Sequence, residues 1–98
     1  MNMQALMKQA QTLQKDMMNT KNEIDKMEFT GENSFVKVVV NGKKEVLSIA
    51  IDRNVKLDID DLEVLEDILV VAINAALRKV EETTETKMGK FSNIPGLF

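Results

Sequence analysis

The side chains able to do chemistry fall into two groups of opposite sign. Asp58, Asp60, Asp61, Glu63, Glu66 and Asp67 form an acidic block, with no base anywhere in residues 58–76. Oxygens this dense could ligate Mg²⁺ or Ca²⁺, but the block has neither the ligand spacing nor the glycine of an EF-hand loop. Carboxylates are also what a helix N-terminus favours, because the macrodipole is positive there, and capping is the expectation. The other group is cationic: Lys8, Lys15, Arg78, Lys79, Lys87 and Lys90. These can neutralise phosphates. The chain contains no His, Cys, Tyr or Trp, which removes the usual proton shuttle, the thiol nucleophile and most transition-metal ligands. Ser34, Ser48 and Ser92 have no evident base and no Gly-x-Ser-x-Gly elbow around them. Asn41-Gly42-Lys43-Lys44 has the residue types of a phosphate loop but not its pattern. Neither an enzyme, a cofactor, a metal nor a small-molecule substrate is expected.

Those groups must be carried by a short list of elements. Residues 3–27 contain no Gly or Pro and read as a helix. Met3, Leu6, Ala10, Leu13, Met17, Thr20, Ile24 and Met27 recur at alternating spacings of three and four, the narrow seam of helix-on-helix packing. Lys8 and Lys15, seven apart, then fall opposite the seam. Residues 28–34 suggest a short strand and turn. Residues 35–40 (FVKVVV) are β-rich, and Asn41-Gly42 is a strong hairpin signal leading to a return strand over 43–52. A two-residue loop would pair Val40 with Lys43, Val38 with Glu45 and Val36 with Leu47, placing Val36, Val38, Val40, Leu47, Ile49 and Ile51 on one face. Residues 53–57 connect to a second helix over 58–88, which Asp58 or Asp60 can cap, and Asp60 and Glu63 have capping-box spacing. It should stop at Gly89, with Lys87 near the negative end of its dipole. Residues 89–98 read as an extended tail in which Pro95 forbids helix and Ile94, Leu97 and Phe98 offer apolar contacts.

The second helix contains a run, residues 68–77 (ILVVAINAAL), whose only polar member is Asn74. At ~1.5 Å per residue it covers about 15 Å, half of a bilayer core, so it does not read as a membrane span. Its apolar positions form three adjoining stripes, more than a sheet and one helix can cover. A second copy of the chain is the economical cover, with Ile68, Leu69, Val71, Ala72, Ile73, Ala75 and Ala76 expected at the interface. A chain of 98 residues reads as one domain over 1–98 and would be a marginal monomer.

Charge qualifies the partner. The net value of −3 argues against nucleic acid, yet the acidic block alone accounts for it and the remainder is faintly basic. The four phenylalanines, Phe29, Phe35, Phe91 and Phe98, are too few and too apolar in context to form a stacking platform for single strands. No helix-turn-helix, zinc finger or RNP signature is present. Absence of cysteine, and an N-terminus with no basic region before an apolar run, give a cytoplasmic expectation.

Residues 36–52 (VKVVVNGKKEVLSIAID), 65–82 (LEDILVVAINAALRKVEE), 87–90 (KMGK) and 94–98 (IPGLF), with the Met- and Gln-rich opening helix, resemble the YbaB/EbfC family of bacterial nucleoid-associated proteins along nearly the whole chain. Arg53-Asn54 stands where many relatives have proline. The resemblance implies an α+β fold: α–β–β–β–α, with long N- and C-terminal helices flanking a small antiparallel sheet. It further implies a tweezer-like homodimer associated with the nucleoid and binding double-stranded DNA. The six cations named above are site candidates by their helical faces, and phosphate contact with weak sequence preference is the expected mode. A prefoldin-like holdase or coiled-coil adaptor is the alternative, since a Met-rich seam could hold client proteins.

Overall fold

A computed structural model of the chain describes residues 2–91. The elements are α1 (Met3–Lys26), β1 (Glu28–Asn33), β2 (Val36–Asn41), β3 (Val46–Ile51) and α2 (Leu62–Met88), with 3₁₀ turns at Ile59–Asp61 and Gly89–Phe91. This is the α–β–β–β–α order of an α+β fold. The tail expected over 92–98, including Ile94, Leu97 and Phe98, lies outside the described residues.

α1 begins where the Asn2 side chain takes up two orphan amides: Oδ1 accepts from the backbone N–H of Gln4 at 3.0 Å and of Ala5 at 3.4 Å. Thr20, the polar member of its seam, donates its hydroxyl to the Asp16 carbonyl at 2.9 Å, so its polarity is satisfied within the helix. The seam is only half used. Leu13, Met17, Thr20 and Ile24 turn inward, whereas residues 2–12 are exposed throughout.

The sheet is antiparallel in the order β1-β2-β3. β1 and β2 pair through Phe29↔Val40, Gly31↔Val38 and Asn33↔Val36, joined by a two-residue turn whose first member, Ser34, has φ 53°. Left-handed φ at that position matches the twist of tight hairpins.

The second hairpin corrects the sequence expectation. Val36 pairs with Ile51 and Val38 with Ile49, and a bulge between Val39 and Val40 sets Val40 against Val46. The loop has three residues, because Asn41 ends β2 and its backbone N–H donates to the Glu45 carbonyl at 3.0 Å. Asn41 Oδ1 accepts from the N–H of Lys43 at 2.9 Å and of Glu45 at 3.0 Å. Its Nδ2 donates to Glu45 Oε1 at 2.9 Å, and Lys44 closes the turn at φ 66°. Asn41 therefore organises the loop from its edge instead of occupying its centre. Gly42 serves a different need: a β-carbon there would collide with the Ile24 carbonyl, so the loop is glycine where the end of α1 rests on it. Val36 moves from Leu47 to Ile51, an even slide of four, so Val36 and Val38 still share a face with Ile49 and Ile51.

α2 lies across β1 and β2 and leaves β3 largely uncovered. Phe29, Val36, Val38 and Val40 from the sheet and Ala72, Ala76 and Val80 from α2 form the buried core. The closest approach is at Gly31, where a β-carbon would meet the Ala72 carbonyl and lie 2.5 Å from the Ala76 nitrogen. The alanines expected at a partner's surface thus face the chain's own β1. Ala72 and Ala76 are fully covered within the chain.

The acidic block caps the approach to the helix from Asp58, one of the two expected caps, and the box joins Asp58 to Asp61 where spacing alone pointed to Asp60 and Glu63. Asp58 Oδ1 accepts from the N–H of Asp60 at 2.9 Å, and Asp61 Oδ2 accepts from the N–H of Asp58 at 3.1 Å. That reciprocal capping box closes the 3₁₀ turn leading into α2. α2 ends at Met88 with Gly89 as its cap, and Lys87 lies in the last turn.

Candidate nucleic-acid interface

The position of every candidate cation depends on how the two helices meet. Lys21, Ile24 and Asp25 from the last turns of α1 line one hollow with Val80, Thr84 and Met88 from the last turns of α2, together with Gly42 and Lys44. The C-terminal ends of both helices therefore overlap. Their 24 and 27 residues would measure about 36 and 40 Å at ~1.5 Å per residue. The long axis of the molecule is 71 Å against 18 and 14 Å across. Helices that overlap at their C-termini can fill that length only by running antiparallel with no more than their last turns side by side. The first half of α1 consequently projects beyond the end of α2 as an arm.

Lys8 and Lys15 lie on that arm, exposed. Their spacing puts them on the side opposite Leu13, Met17 and Ile24, roughly 10 Å apart along the axis. Lys87 and Lys90 lie at the junction, also exposed. Lys87 borders a shallow hollow with Met27, Glu82, Thr83 and Thr86. Lys90 Nζ sits 5.0 Å above the centroid of the buried Phe91 ring, a cation–π contact that holds the ammonium at the surface. Lys8, Lys15, Arg78 and Lys87 make no ion pair among the described residues.

Arg78 and Lys79 are not brought onto the arm. They lie one to two turns back along α2, where Lys79 Nζ donates to the Thr30 carbonyl at 2.6 Å and ties the helix to the edge strand β1. From Arg78 to Lys8 the cations extend over about 30 Å along the molecular axis, the length of roughly nine base pairs. The acidic block sits at the opposite end of α2, some 40 Å from the junction at ~1.5 Å per residue.

The structure adds cations that helical spacing did not single out. Lys26 and Lys43 line a hollow with Asn22, Asp25, Asn41 and Glu45, and Lys21 and Lys44 share the one beneath α1. Lys44 pairs with Glu81 at 3.6 Å. The legible signal was the consecutive lysines at a hairpin tip; what could not be read was that the tip abuts the helix junction.

The described phenylalanines are not stacking platforms: Phe29 and Phe91 are buried and Phe35 is half-buried against the core. Apolar surface is exposed elsewhere. On α2, Val64, Val70 and Val71 are 56, 57 and 53% exposed, and Val46, Leu47 and Ile49 of β3 are open as well. Ile68, Leu69, Ile73 and Ala75 are half-buried. Among the described residues no helix is long and apolar enough to cross a membrane.

Residues 1–94 match the family model described as the YbaB/EbfC DNA-binding family. The chain is 44% identical to a nucleoid-associated protein of Clostridium kluyveri, over 99% of this chain and 89% of the relative. A nucleoid-associated protein of Alkaliphilus metalliredigens is 42% identical over the same shares. One from Streptococcus pneumoniae is 44% identical over 94% of each chain.

Proposed function

The chain belongs to the YbaB/EbfC DNA-binding family, and from that premise we propose that it acts at the nucleoid as a homodimer gripping double-stranded DNA through phosphate contacts. The observation that carries this reading is the pair of exposed lysines, Lys8 and Lys15, on a helix that projects past its own fold. An exposed ammonium with no protein partner keeps its counterion atmosphere and its phosphate-binding capacity intact. Binding DNA releases those counterions, so affinity falls steeply with salt and depends weakly on sequence. Lys87 and Lys90 extend the surface to the junction. Arg78 and Lys79 are its distant members, Lys79 being partly committed to Thr30. Among the described residues the aromatics are buried or half-buried and offer no stacking platform for unstacked bases.

Dimerisation rests on the exposed apolar surface. Val64, Ile68, Val71 and Ala75 follow one another at spacings of four, three and four, and form a stripe on α2 beside the covered Ala72 face. β3 is apolar and exposed over nearly its whole length. Leu69 and Ile73 flank the covered face. A patch of this kind on a small chain marks an association surface, and a two-fold pair would present two basic arms to one duplex.

A gel-shift series on duplex DNA tests the proposal. Four lysines removed per dimer by Lys8→Glu with Lys15→Glu should make the slope of log affinity against log salt shallower by roughly 3–4. Binding indifferent to salt, or a double variant with the parent slope, would refute it. The exposed Met3 and Met7 are the features a holdase would use, and suppression of client aggregation by a protein that ignores DNA would favour that function instead.

A further inference from the structure

The hairpin tip Asn41-Gly42-Lys43-Lys44 is held more firmly than an exposed turn requires. Asn41 Oδ1 accepts from the N–H of Lys43 at 2.9 Å and of Glu45 at 3.0 Å, and Asn41 Nδ2 donates to Glu45 Oε1 at 2.9 Å. Gly42 lets the tip approach the Ile24 carbonyl, where a β-carbon would collide. The backbone at Lys43 is therefore fixed against the last turns of α1. Lys43 itself is exposed, and it lines one hollow with Asn22 and Lys26 of that helix.

The hollow stands at the foot of a continuous polar face. At about 100° per residue, Lys8, Lys15, Asn19, Asn22 and Lys26 fall within roughly 60° of one another round α1, and all five are exposed. The acids of the helix lie off this face: Asp16, Glu23 and Asp25 stand about 70–90° from its centre. From Lys8 to Lys26 the helix rises ~27 Å. That is about eight base pairs, less than one turn of a duplex, so a straight row can meet DNA from one side. Asp25 and Glu45 also line the hollow, yet among the described residues no ion pair involves Lys26 or Lys43. Glu45 is engaged by Asn41 instead. The neighbouring Lys44 differs: it pairs with Glu81 at 3.6 Å and borders a separate hollow with Lys21.

We propose that the duplex lies along this face of α1 and reaches the hairpin tip, where Lys26 and Lys43 hold a phosphate of the DNA backbone between them. The inference rests on the chain's reading as a DNA-binding protein and adds a contact that the arm and the end of α2 do not supply. Phosphate contacts set the orientation of a protein on its duplex. Lysines at the arm alone leave the duplex free to pivot about them. A second contact at the foot of the helix fixes its direction along α1. Asn41 and Gly42 are positioning residues in this arrangement, because they hold a loop lysine beside Lys26 where the helix itself has none to offer.

Lysine acetylation of the full-length protein at low conversion, read residue by residue by mass spectrometry, tests this without any substitution. A mixed-sequence duplex two helical turns long should protect Lys26 and Lys43 together with Lys8 and Lys15, while Lys21 and Lys44 react as fast as without DNA. Gel-shift salt series then compare two double variants, all four positions being exposed and the fold checked by circular dichroism. Lys26→Gln with Lys43→Gln removes four charges per dimer and should make the slope of log affinity against log salt shallower by roughly 3–4. Lys21→Gln with Lys44→Gln removes as many and should change the slope by less than about 1. Equal changes from the two variants would reduce the effect to net charge, and unprotected Lys26 and Lys43 would take the duplex off the hairpin tip; either result overturns the proposal. Protection and slope loss confined to Lys8 and Lys15 would leave the grip by the arm standing without this contact. Binding by the parent protein that ignores salt would remove both.

Discussion

Gly31→Ala is the sharpest perturbation of the scaffold, because it tests the contact that fixes α2 on the sheet. Gly31 does not occupy left-handed backbone, so alanine suits its conformation; only space is lacking. The new methyl would collide with the Ala72 carbonyl and lie 2.5 Å from the Ala76 nitrogen and 3.0 Å from its β-carbon. All belong to the helix backbone or its first side-chain atom, and none can rotate away. Ordinary contact begins near 3.4 Å, so β1 and α2 must separate by about 1 Å. A radial gap of that size forfeits roughly a quarter to a half of each dispersion contact across it, among them those between Phe29, Val38, Val40 and Val80. Overpacking costs about 1–3 kcal/mol, and backbone atoms on both sides place this case near ~3 kcal/mol. For a chain of this size that lowers Tm by about 12 °C or more. Urea denaturation followed by circular dichroism suits a chain without Trp or Tyr, with variants compared at one protein concentration because association shifts the transition. Gly89→Ala is the control, since among the described residues nothing lies within 4 Å of its would-be β-carbon and its φ is −59°. It should be neutral or stabilising by up to ~1 kcal/mol. A loss below about 0.5 kcal/mol at Gly31, within the range of ordinary surface substitutions, would refute the close helix–sheet contact.

Asn41→Ala removes three side-chain hydrogen bonds from the hairpin tip and should cost about 1–2 kcal/mol in the same urea assay; an unchanged midpoint would mean that the loop does not depend on them. Asp58→Ala opens the capping box and should cost about 1 kcal/mol, whereas Asp60→Ala, whose side chain accepts no capping bond, should cost less; the reverse order would contradict the observed cap. Val64→Asp with Val71→Asp introduces charge at positions exposed in the single chain. The circular dichroism spectrum should be retained while sedimentation equilibrium shifts toward the monomer mass. A dimer of undiminished stability would move the interface away from this stripe.

Much of the architecture is local and so was legible. The absence of Gly and Pro marked α1, β-branched residues marked β2, and Gly89 marked the end of α2, because each acts through its own backbone. The hairpin shows where local reasoning stops. Asn-Gly is compatible with a two-residue turn, and alternation is indifferent to an even slide, so residue pattern could not separate Val36↔Leu47 from Val36↔Ile51. The side-chain bonds of Asn41 and the pressure of Ile24 on Gly42 decided it. Ala72 and Ala76 make the same point: small residues signal a close approach without saying whose backbone approaches, and here it is the chain's own β1 at Gly31.

The cations divide along that line. Sequence by itself determined that the chain has no histidine or thiol, that its acids gather before one helix, and that Lys8 and Lys15 share a helical face, because composition and a period of 3.6 need no partner. Only the tertiary structure decided that α1 outruns α2, that Lys87 and Lys90 meet the arm at the junction, and that Lys79 is tied to Thr30. Those outcomes depend on how the two helices and the sheet pack together, which is set by contacts between residues some fifty positions apart, such as Gly31 of β1 with Ala76 of α2 and Ile24 of α1 with Val80 of α2.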